Sequence, residues 1–83
     1  MATSLLQVGD HLSLECDTSD LDALRNFIRD HHPDLTSTAA GIAIVVRFGG
    51  EQFTFQNEWD DPCLISGSAK GDSLLRAISA HFG

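Results

Sequence analysis

Four histidines, two cysteines and 12 acids are the side chains with which this sequence could do chemistry. His31 and His32, with Asp30 and Asp34 close by, bring metal-ligating types together. Adjacent residues point in different directions, though, and a tetrahedral ion needs ligands that converge. His11 and His81 lie far off, with no ligand spacing to join them. The pair reads as a solvated helix end, where an imidazolium suits the negative pole of the helix dipole. No metal ion or cofactor is expected.

Cys63 follows Pro62 and stands near Glu58, Asp60 and Asp61. A reactive cysteine needs a positive setting that lowers its pKa, and these acids do the reverse. Cys16 and Cys63 both fall where strands are expected, so both read as reduced, structural thiols. A bridge between them would require the two strands to be neighbours. No serine stands in a Gly-x-Ser-x-Gly elbow, and no His-Glu-x-x-His occurs. Gly67-Ser68-Ala69-Lys70-Gly71-Asp72-Ser73 leads towards a helix but lacks the Gly-Lys-Ser/Thr order of a phosphate loop. Asp72 reads as the helix cap, occupying the amides that an anion would use. No catalytic residue is assigned, and a non-enzymatic protein is expected.

The acids carry the most information. Asp10, Glu15, Asp17, Asp20 and Asp22 gather where a first strand gives way to a first helix. Glu58, Asp60 and Asp61 surround Trp59, the single tryptophan. Capping and solubility account for part of this. Trp59 is either a lid over the core or an exposed anchor, and aromatic anchors inside charged rims are common binding hot spots. Asp17, Asp20, Asp22, Glu58, Trp59, Asp60 and Asp61 are the candidates for contact with a partner.

The elements that must position these residues follow from periodicity. His11 to Cys16 alternates polar and apolar, which predicts a strand with Leu12, Leu14 and Cys16 inward. Asp17-Thr18-Ser19-Asp20 supplies cap-forming types, and Leu21, Leu24, Phe27 and Ile28 keep helical spacing until Pro33 stops it. Residues 34–41 read as a connection. Ile42, Ile44, Val46 and Phe48 share one face of a strand, while Ala43 and Val45 make its other face apolar enough for a central position. Gly49-Gly50 predicts a tight hairpin to a strand with Phe53 and Phe55 inward. Cys63 to Ser66 suits a short edge strand. A second helix is expected from about Asp72 or Ser73, with Leu74, Leu75, Ile78 and Phe82 on its apolar side. The order is β-α-β-β-β-α, an α+β fold with an antiparallel sheet and both helices on one face.

Eighty-three residues make a single domain over 1–83, with 1–9 expected as a loosely ordered lead segment. Hydrophobic residues at 42% exclude intrinsic disorder. A net charge of -7, from 12 acids against five Lys and Arg, excludes a phosphate-tracking protein and binding to anionic membranes. The longest apolar stretch, Ala39 to Val46, is far short of the roughly 20 residues of a membrane helix. No basic segment precedes the N-terminal leucines, so a soluble, cytoplasmic chain is expected. Size and charge resemble those of small acidic inhibitors, immunity proteins and nucleic-acid mimics, an analogy of charge rather than of motif. The expectation is therefore a protein-binding module that covers a basic partner by electrostatic steering. The alternative is a homodimeric accessory domain whose charge serves solubility alone.

Overall fold

The alternating and β-branched stretches become strands in the computed structural model, which describes residues 3–58 and 61–82, with backbone alone at Glu58 and Asp61. In chain order the elements are β1 (Thr3–Val8), β2 (His11–Cys16), a 3-10 turn (Thr18–Asp20), α1 (Leu21–His31), β3 (Thr36–Ala40), β4 (Ala43–Phe48), β5 (Glu51–Glu58), β6 (Asp61–Ser66) and α2 (Ala69–Phe82). The described residues form one six-stranded sheet in the order β1-β2-β6-β5-β4-β3, antiparallel throughout. The fold is α+β, as expected, but its order is β-β-α-β-β-β-β-α.

Two strands go beyond the sequence expectation. Residues 3–8, expected as part of a loosely ordered lead, pair along their length with β2, from Thr3 opposite Cys16 to Val8 opposite His11. Consecutive Leu5 and Leu6 hide the alternation, so only the two-residue Gly9-Asp10 link betrays this hairpin. Thr36–Ala40, expected as connection, is the edge strand β3. Its Thr, Ser and Ala side chains are exposed at every position, so no apolar pattern marks it. β4 lies between β3 and β5, consistent with its two apolar faces, and the short Cys63–Ser66 segment belongs to an interior strand rather than an edge.

The core is a single cluster. Leu14, Phe48, Phe53 and Leu64 from the sheet meet Leu24 and Ile28 of α1 and Leu75 and Ile78 of α2. Phe48 and Phe53 stack with ring centroids 4.2 Å apart, and both are fully buried. Between them lies the Gly49-Gly50 turn, with φ of 61° and 78°, values that a residue with a Cβ resists. Asp34 accepts hydrogen bonds from the Gly49 and Gly50 amides at 3.0 and 3.1 Å, tying the end of the α1 connection to this hairpin. Those two bonds hold the Asp34 pKa below its ordinary value.

α2 starts at Ala69, earlier than periodicity predicts, because Ser68 rather than Asp72 caps it. The Ser68 hydroxyl accepts from the Gly71 amide at 3.0 Å and donates to Glu51 at 2.6 Å. Gly71 belongs to the helix because β6 runs so close beneath it. A Cβ there would strike the Ser66 hydroxyl and press on the Phe53 ring at 3.2 Å. Asp72 is buried and turns to β2 instead, accepting from the Leu12 amide at 2.9 Å and meeting His11 Nδ1 at 3.3 Å. The Leu12 bond is the main cause of its lowered pKa, with burial opposing and Ser66 and His11 assisting.

Candidate binding site at the acidic end of the sheet

Strand register decides which acids come together. Glu15 on β2 lies opposite Cys63 on β6, and Glu58 at the end of β5 pairs with Asp61 at the start of β6. The end of β2, the 3-10 turn, the first turn of α1, the end of β5 and the start of β6 therefore occupy one end of the sheet. Asp17, Asp20 and Asp22 stand there, at the same end of the sheet as the backbone of Glu58 and Asp61. Trp59 and Asp60, between Glu58 and Asp61 in sequence, lie outside the described residues. Asp10 departs from its expected group: it sits in the turn between β1 and β2, at the opposite end of β2.

Capping does not explain these carboxylates. Asp17 holds the cap position of the 3-10 turn and Asp20 that of α1, yet neither makes a side-chain cap hydrogen bond. Asp22 meets Arg25 at 2.7 Å in a pair that is mostly exposed on both sides. Exposed pairs contribute little to stability, about 0–1 kcal/mol, so Asp22 remains available to another cation. The field of the cluster reaches Cys16, whose thiol pKa is raised by burial and then by Asp20 and Asp17. Such a thiol is a poor nucleophile. β2 and β6 are neighbours, but Glu15 is the residue opposite Cys63, so Cys16 and Cys63 face opposite sides of the sheet and form no disulfide.

His31 and His81, far apart in sequence, come together on the Phe27 ring, with their own ring centroids 6.4 Å apart. His31 donates from Nδ1 to the Phe27 carbonyl at 2.9 Å, and its ring lies 4.1 Å from that of Phe27. His81 stacks on Phe27 at 4.2 Å, while His32 turns to Phe48 at 5.2 Å. Among the described residues, no three His, Cys, Asp or Glu side chains gather as metal ligands would. Among the same residues, no helix is long and apolar enough to cross a membrane.

Two features next to the acidic end escape sequence reasoning. Ile42, expected on the inward face of a strand, falls in the Gly41-Ile42 turn and is 92% exposed. Its place directly after Gly41 is the one signal that could have revealed this. Between α1 and the sheet, beside β3, there is also an apolar cleft of about 370 Å³. Leu21, Leu24 and Ile28 form its helical wall, and Ile44, Val46 and Phe55 its floor. It exists because β3 offers only Ser37 and Ala39 opposite Val46 and Ile44, side chains too small to close the space. Ile44 stays 38% exposed as a result.

Compared with protein-family models, with curated proteins and with solved structures, the chain has no match. The geometry of the acidic end and the cleft is therefore the ground on which its function is read.

Proposed function

We propose that this chain is a non-enzymatic binding module that covers a basic protein partner with its acidic end. The observation that carries the reading is that Asp17, Asp20 and Asp22 share one end of the sheet with the paired ends of β5 and β6. Carboxylates without cap bonds keep their field directed outward. On a chain of charge -7 such a field raises the rate of encounter with a cationic surface and weakens as salt is added. Inhibitors of the immunity type and proteins that imitate nucleic acid use this device. The exposed Ile42 gives the acidic rim an apolar contact point beside it. Both helices are read as covering one face of the sheet, which leaves the acidic end and edge β3 open.

One observation favours a second reading, a homodimeric accessory domain. β3 is an exposed, uncharged edge, the kind of strand that can pair with its own copy. A single experiment separates the two. Tagged protein is used to capture partners from host lysate at low and moderate salt, with light scattering on the eluate. The binding reading expects one basic protein at equal stoichiometry, released by salt and by changing Asp20 and Asp22 together to Lys. Recovery of a homodimer alone, or capture indifferent to salt and to charge reversal, overturns it.

A further inference from the structure

We infer that the partner presents an extended segment that adds to edge strand β3, sets an apolar side chain into the cleft beside α1, and carries its basic residues towards Asp20 and Asp22. This rests on the acidic-end reading and specifies how the partner is held. Edge strands in stable proteins are usually guarded by charge, proline or a bulge. Thr36–Ala40 has none of these, and each of its residues is exposed. An unguarded edge next to an apolar cleft is the arrangement that binds peptides by strand addition. Main-chain bonds supply affinity there, and every second side chain is read by the cleft.

The cleft volume of about 370 Å³ is at the low end of the 300–1,000 Å³ typical of ligand sites, suited to side chains rather than a cofactor. Charge fixes the chemistry of the occupant. The last residue of β3, Ala40, lies at the end of the sheet where α1 begins, and Leu21 at that start lines the cleft, so a segment running past Ala40 heads towards Asp20 and Asp22. Arg25 is the base lining the cleft, and its guanidinium is held by Asp22 at 2.7 Å. A second copy of this chain fits less well. Its β3 would bring only Ser and Ala to the cleft, leaving it empty, along with a further charge of -7.

The probe is a phage-displayed library of random ten-residue peptides selected against the full chain at low salt, followed by synthesis of the enriched sequences. The expected winners alternate apolar residues and carry Lys or Arg at one end. Ser37→Phe fills the cleft from an exposed position and should weaken them about tenfold or more. Ala39→Phe, at the next inward position, provides the same test if the first variant folds poorly, as judged by circular dichroism. Changing Asp20 and Asp22 to Lys should weaken the same peptides several-fold and flatten their salt dependence, whereas Arg25→Gln should tighten them. Failure to enrich any peptide overturns the inference. So does binding that ignores both cleft-filling variants, even if charge reversal still matters; that result leaves the acidic end as the sole contact. Binding lost on filling the cleft but unmoved by charge reversal overturns the acidic-end reading and the basic chemistry with it. A dimer seen by light scattering and broken by Ser37→Phe puts a second copy on β3 and likewise overturns the inference.

Discussion

Phe53 and Phe27 look alike in sequence, each on the apolar face of its element, yet the structure treats them differently. Phe53 is 1% exposed between Phe48 and Gly71, whereas Phe27 is half-buried under two imidazoles. Phe53→Ala should cost about 3–5 kcal/mol, enough to unfold most of the population. Phe27→Ala should cost clearly less, and urea unfolding of the two variants side by side measures the difference. Asp72 shows the opposite kind of surprise, a carboxylate buried for structure rather than spent on a cap. Its folded pKa lies below the ordinary value because it accepts from Leu12, so its contribution is fully present above the unfolded pKa, near 4. That contribution is lost as pH falls through the folded value. The stability gap between the parent and Asp72→Asn should therefore be widest at neutral pH and close in acid. A gap that stays constant across an acid titration of the melting temperature would contradict this assignment.

At the scale of elements, the tightest junction is the crossing of α2 over β6. Gly71→Ala should destabilise by about 1–3 kcal/mol, because the added methyl would strike the Ser66 hydroxyl and press on the Ser68 hydroxyl and the buried Phe53 ring. The guanidinium midpoint of this variant checks it, and Gly50→Ala is a useful contrast, since there the strain is one of φ alone. This junction also explains how far the fold could be read in advance. β2, α1, β4 and β5 were legible because each buries one regular stripe, and Gly49-Gly50 announced the hairpin. β1 and β3 were not, since the sheet holds them by main-chain pairing at its edges and asks little of their side chains. The start of α2 was misplaced because Ser68 looks like loop, and Gly71 looks like a break rather than a close approach. Of the candidate site, Asp17, Asp20 and Asp22 were visible as charge. That they share an end with the paired ends of β5 and β6 depends on register, which sequence spacing does not encode. The cleft was invisible for a different reason: it is made by what Ser37 and Ala39 fail to fill.

For the whole molecule, the order of strands has a consequence in time. β1 with β2, and β3 through β6, are two runs of neighbours joined by short links. Among the strand pairings of the described residues, the β2–β6 seam, where Ser13 meets Ile65 and Leu14 meets Leu64, is the one that draws together residues from the two ends of the chain. Closing so long a loop costs entropy before any contact repays it, which makes the seam the expected bottleneck of refolding. A disulfide joining positions 13 and 65, in a background with Cys16 and Cys63 changed to Ala, would close the loop in advance. Stopped-flow refolding of that variant should be markedly faster than of its reduced form, with a gain in stability of up to about 4 kcal/mol. If the two forms refold equally fast, the seam zips after the barrier. The two runs of strands would then behave as partners that meet late, one carrying β3 and the floor of the cleft and the other the acidic turn.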